Sequence, residues 1–135
     1  MFETTHVSPD TAKLLLRVVL GGLILLHGIF KVMNPGAVDF IGGLFENFYL
    51  PAFLAYLVYL GEVIAPIMLI VGYKVRTAAN LIAITMAVAI ILAHSGDLFS
   101  LTQTGGSAIA LQLMFLVGAL VSAGIGAGKY TLLKK

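Results

Sequence analysis

The chain has 135 residues, of which 60% are hydrophobic and 10% charged, with a formal net charge of +2 and a mean hydropathy of +1.06. Soluble domains carry about 45–50% apolar and about 25% charged residues, so this composition cannot hide its apolar surface inside itself in water and calls for a bilayer. The absence of cysteine excludes thiol–disulfide exchange, thiolate-held Fe–S clusters and Cys-ligated zinc, and the small net charge gives no reason to expect nucleic acid as a partner.

The first apolar stretch runs from about Ala12 to Met33, long enough to span, since a spanning helix needs about 20 mostly apolar residues. Ser8, Pro9 and Asp10 read as an N-cap, a first-turn proline and an acidic residue facing the helix dipole. Asn34-Pro35-Gly36 ends the stretch, because Pro removes a donor and Gly accepts positive φ. Lys31 and Pro35 stand where a signal-peptide cleavage site would need small residues, so the stretch is expected to stay as a helix. In the segment from Gly36 to Pro51, Ile41, Leu44, Phe45 and Phe48 recur at helical spacing opposite Asp39, Glu46 and Asn47. That pattern predicts a short amphipathic helix on the outer side, either an interfacial anchor or a lid over a site.

Further spans are expected over about 52–73, 77–94 and 107–125. The short link containing Lys74 and Arg76 forces the second and third spans to be antiparallel neighbours. The segment from Ser95 to Gly106 is rich in Ser, Thr, Gly and Gln and is expected to be irregular. Gly124 to Lys129 has the letters of a phosphate-binding loop, but a membrane span precedes it instead of a strand, so it reads as a flexible helix end. Positive residues mark the cytoplasmic side. Lys13, Arg17, Lys74, Arg76, Lys129, Lys134 and Lys135 fall on one side of a four-span chain, and Lys31 alone falls on the other. The expected fold is all-α: one transmembrane domain over 1–135, a four-helix antiparallel bundle with an external helix between its first two spans and both termini in the cytoplasm.

Inside hydrocarbon an ionisable side chain costs at least about 2.5–3.5 kcal/mol, so each one is a candidate functional group with a partner. His27 and Lys31 share one face of the first span, and Lys31 is near enough to the interface to snorkel outward. Arg17, Gly21, Ile24 and Gly28 lie near the same face, where the small residues let another helix approach. Glu62 sits near the middle of the second span, where a carboxylate must be protonated or paired. Pro66 has no N–H to return to the Glu62 carbonyl, so main chain and side chain together make a polar pocket at mid-depth. Glu62 is read as either a structural ion pair with Arg17 or His27, or a catalytic carboxylate coupled to His27. Arg17 is expected inside the bundle, near Glu62 or Asn80. His94 at the outer end of the third span and Gln112 in the outer half of the fourth join Lys31 as candidate ligand-binding residues. His27 lies about two turns deeper than His94, which argues against a shared haem iron or zinc and leaves no metal set.

His27-Gly28 followed by Lys31, Glu62 in the second span, Gly72 and Arg76 at the turn, a histidine closing the third span, and Gly128-Lys129-Tyr130-Thr131-Leu132 after the last resemble the DoxX family of small four-helix membrane proteins. The resemblance runs from about Ala12 to Leu132. It departs from the family pattern at Ala65-Pro66, where a pair of glycines often follows the glutamate, and at Thr131 and Leu132, where Ser and an acidic residue are usual. The resemblance implies a multi-pass protein of a prokaryotic cytoplasmic (inner) membrane, associated with redox complexes such as a quinol oxidase or a thiosulfate:quinone oxidoreductase. On that basis a quinone is the suspected ligand. Its carbonyl oxygens need donors and proton carriers in an apolar slot, and His27, Glu62 and Lys31 are of those types. The partners implied are the lipid bilayer, a soluble or peripheral oxidoreductase subunit as electron source, since no metal or flavin motif is visible, and further copies of the chain. The alternative is a non-catalytic binding, transport or assembly protein whose buried ion pairs are structural.

Overall fold

The computed structural model describes residues 7–94 and 110–131. Among them five helices follow in order: α1 (Pro9–Met33), α2 (Pro35–Asn47), α3 (Ala52–Val71), α4 (Val75–His94) and α5 (Ala110–Ile125). The loop expected over 95–106, the first residues of the expected fourth span, and Lys134 and Lys135 lie outside the described residues. By length and composition α1, α3 and the Val75–Leu92 portion of α4 can each cross a membrane, and α5 is a shorter apolar helix.

The start of α1 follows the sequence reading: the Ser8 hydroxyl accepts the Thr11 N–H at 3.2 Å, with Pro9 in the first turn. At Asn34 the backbone leaves the helical region, and Pro35 starts α2 at once. α2 ends at Asn47, and Tyr49 then takes a positive φ of 62° as the chain turns toward α3.

α3 changes its winding along its length. It enters as a 3-10 turn over Ala52–Tyr56 and widens to a π turn over Leu60–Ile64, where the Ala65 N–H reaches back five residues to the Leu60 carbonyl. Pro66 gives the physical reason, since it has no N–H for the Glu62 carbonyl and the ordinary four-residue ladder cannot run through that point. The helix stops at Val71, two residues short of the expected span, because Gly72 adopts φ +85° and donates its N–H to the Met68 carbonyl at 2.9 Å.

The core joins Leu20 and Ile24 of α1, Ala65 and Leu69 of α3, Ala78, Ala79 and Ile82 of α4, and Phe115 and Ala119 of α5. Alanines on α3, α4 and α5 let the backbones approach closely, which is how helices associate when lipid supplies no hydrophobic drive between them. Large apolar side chains such as Leu26, Ile67 and Leu120 face outward, as a surface solvated by acyl chains requires.

One end of the helices carries Lys13, Arg17, Lys74 and Arg76, and here the chain after α5 folds back onto α1. The Lys129 N–H donates to Asp10 Oδ1 at 3.2 Å, and Arg17 Nη2 donates to the Tyr130 carbonyl. The glycine-rich segment over 124–129, expected to be a flexible end, is thus held at Lys129, and the next residue, Tyr130, is held as well. Arg17 is fully buried, as expected, but its acceptor is that carbonyl; it pairs with neither Glu62 nor Asn80, and it forms no ion pair among the described residues. Helical side chains lean toward the helix N-terminus, which carries the guanidinium away from Glu62 and toward the basic end.

Candidate functional site

Glu62 sits inside the π turn of α3, and its Oε1 accepts a hydrogen bond from Lys31 Nζ at 2.6 Å. The carboxylate side chain is 5% exposed and that of Lys31 18%. At this distance the bond is charge-assisted, and each group supplies the counter-charge that burial of the other requires. The partner is Lys31, not Arg17 or His27 as the sequence suggested. Lys31 lies near the C-terminal end of α1, so its stem leans back along the helix toward the membrane middle instead of snorkelling outward.

Two close approaches hold Glu62 in place, one to backbone and one to a side chain. A Cβ on Gly28 would lie 2.6 Å from the Glu62 carbonyl carbon and 2.8 Å from Val63 Cγ2, and a Cβ on Gly61 would lie 2.7 Å from Thr85 Cβ. Only glycine at both positions lets α1 and α4 close on the π turn. The Gly28 hydrogen that replaces a Cβ points at the Glu62 carbonyl, a weak C–H···O contact for an acceptor that Pro66 deprives of its helical donor.

His27 is one turn from Lys31 on α1. Its Nδ1 lies 3.0 Å from the Leu23 carbonyl, and since a carbonyl can only accept, that bond assigns the proton to Nδ1 and leaves Nε2 with a free lone pair in the neutral ring. The imidazole meets Phe115 edge to face, with centroids 5.5 Å apart.

These groups border a cavity of about 460 Å³ to which all five helices contribute, within the size range of small-molecule sites. His27, Lys31, Glu62 and Gln112 supply most of its polarity, and α2 closes one side with Phe40, Ile41 and Leu44. Four of the residues singled out from the sequence are thus brought together. Arg17 is not among them, and the side chain of His94, which closes α4, lies outside the described residues. Thr85 and Phe115 also line the cavity and were not anticipated. The signal for Thr85 was its hydroxyl on an otherwise apolar helix, where it donates to the Leu81 carbonyl at 2.8 Å. Phe115 gave no signal, because an aromatic in an apolar span reads as core. The arrangement suits an apolar molecule with a polar oxygen: the ammonium can donate, His27 Nε2 can accept a proton, and most of the wall is hydrocarbon.

The model of the DoxX family matches residues 12–95, well over half of the chain, including most of α1 and all of α2 to α4, with His27, Lys31 and Glu62. A protein of Bacillus subtilis (strain 168) named "Putative oxidoreductase CatD" is 34% identical over 83 residues, which make up 61% of this chain and 59% of the relative. The similarity thus spans about three fifths of the relative's length. No solved structure matches. With three helices of spanning length and this family match, the chain is a multi-pass membrane protein.

Proposed function

The chain belongs to the DoxX family, and we propose that it is the membrane subunit of a quinone-linked redox complex, with the quinone ring held in the cavity beside Lys31 and Glu62. The observation that carries this reading is the Lys31–Glu62 pair at 2.6 Å at the polar end of an otherwise apolar cavity between membrane helices. Reducing a quinone to a quinol adds two electrons and two protons, and oxidation reverses both. Lys31 donates a hydrogen bond to one ring oxygen, and His27 Nε2 accepts the proton that a quinol hydroxyl releases. Glu62 holds the ammonium in place and takes part in the proton exchange, and Gln112 orients the ring. The electrons pass to or from a soluble or peripheral oxidoreductase partner, a role that fits the name of the Bacillus relative.

In this reading α1, α3, α4 and α5 form a four-helix antiparallel bundle in a prokaryotic cytoplasmic membrane, with both termini in the cytoplasm. α2 lies at the outer surface as a lid, because it contributes a cavity wall. The test uses purified protein in lipid nanodiscs. A decyl-substituted benzoquinone should bind, Lys31→Met should weaken that binding by about tenfold, as loss of a hydrogen bond to a charged group implies, and solvent extraction should release a quinone detectable by mass spectrometry. Absence of both binding and extracted quinone would favour a non-catalytic assembly protein with a structural ion pair.

A further inference from the structure

The cavity has a buried wall and an open one. Glu62, Met86 and Phe115 are each about 5% exposed, whereas Leu57 of α3 and Ile84 of α4 line the same cavity and are 58% and 61% exposed on the outside of the helices. α3 and α4 meet where Gly61 packs on Thr85. Beyond that contact, toward the start of α3, Leu57 and Val58 on one helix and Val88 and Leu92 on the other border the cavity, so space separates the two helices. At the C-terminal end of α1, α2 covers the cavity with Phe40, Ile41 and Leu44. Leu57, Val58, Val88 and Leu92, which border this slot, are all hydrocarbon, and both flanking helices are long and apolar enough to span, which suits a slot that faces acyl chains.

Resting on the reading of this cavity as the ligand site, we infer that the ligand enters sideways from the bilayer between α3 and α4, and that it is a lipid-phase amphiphile. Its oxygen-bearing head meets Lys31 on the buried wall, and its hydrocarbon tail leaves between Leu57 and Val88 and stays in lipid. A head group without a tail reaches the site poorly, because α2 covers the approach from water and the slot faces hydrocarbon.

The chain has no tryptophan, so Phe115→Trp places a single indole on the buried wall. The protein is reconstituted in phosphatidylcholine vesicles with brominated or ordinary acyl chains, and acrylamide serves as the quencher from water. Brominated chains should remove roughly half of the emission, since the slot lies at hydrocarbon depth, while acrylamide should remove little. Narrowing the slot with Leu57→Phe and Val88→Phe together should restore most of what the brominated chains remove. Quenching by acrylamide without quenching by brominated chains, or quenching by neither, would overturn the lateral route. Should Phe115→Trp fail to fold, Leu44→Trp on α2 reports on the same cavity. Decyl-benzoquinone and unsubstituted benzoquinone are titrated into vesicles of the protein that keeps Phe115. Quenching by brominated chains without binding of either quinone refutes the quinone and keeps the slot. Equal binding of both without such quenching refutes the slot and keeps the quinone.

Discussion

Gly28 of α1 lies directly against the backbone of Glu62 in the π turn of α3, so that the smallest possible side chain would come within 2.6 Å of the Glu62 carbonyl carbon. The contact is backbone on backbone and no rotamer change can relieve it. Gly28→Ala should therefore cost about 1–3 kcal/mol, the range for overpacking a tight core, and should push α3 away from α1 and so lengthen the Lys31–Glu62 bond. A thermal melt in detergent together with decyl-benzoquinone binding checks it, both being expected to fall.

Glu62→Gln leaves the Lys31 ammonium with a neutral partner in a largely buried site. Removing one member of a buried pair costs about 3–5 kcal/mol; the low end applies, because Lys31 keeps 18% exposure. Pairing that change with Lys31→Met should restore much of the melting temperature, as no charge is then stranded, while quinone binding stays lost. If Glu62→Gln lowers the melt and leaves binding intact, the pair is structural only. An unchanged melt and unchanged binding would remove Glu62 from both roles.

The Leu23 carbonyl fixes the His27 proton on Nδ1. Nitrogen-15 magnetic resonance on protein in bilayers, with the His27 signals identified by their loss in His27→Gln, should show a protonated Nδ1 and an unprotonated Nε2 in the neutral ring. The opposite tautomer would remove the proposed proton acceptor.

Arg17 holds the segment after α5 through the Tyr130 carbonyl. A hydrogen bond from a charged donor is worth about 1.5–3 kcal/mol, so Arg17→Met should let this segment open roughly tenfold more often or beyond. Trypsin cleavage after Lys129, followed by mass spectrometry, reads that opening directly.

The sorting of positive residues predicts opposite exposure for the second external connection, over 95–106, and the end of the chain. With Ser100→Cys and Leu133→Cys, membrane-impermeant thiol labelling of intact cells should reach the first and miss the second. The reverse pattern would invert the topology.

The number and kind of helices were legible because apolar length and capping residues are local signals: Ser8 with Pro9 and Asn34 with Pro35 each mark a boundary in the sequence, whereas Gly72 stops α3 two residues before the expected end. Glu62 also declared itself, since a carboxylate in mid-span needs a partner. The partner was not legible. Depth counted at a uniform rise favours His27, but side chains lean toward the helix N-terminus and Lys31 has the longer stem, so the group one turn farther out reaches the carboxylate. Arg17 escaped for the complementary reason. Its acceptor is a backbone carbonyl 113 residues away, and main-chain acceptors leave no trace in side-chain identities.

The Arg17 latch also imposes an order on biosynthesis. The guanidinium enters the membrane with the first helix, whereas the Tyr130 carbonyl that receives it leaves the ribosome 113 residues later. Throughout that interval a permanent cation lacks its final acceptor in a medium where an unmet polar group is costly. One hydrogen bond thus ties the final seating of the first helix to the residues that follow the last.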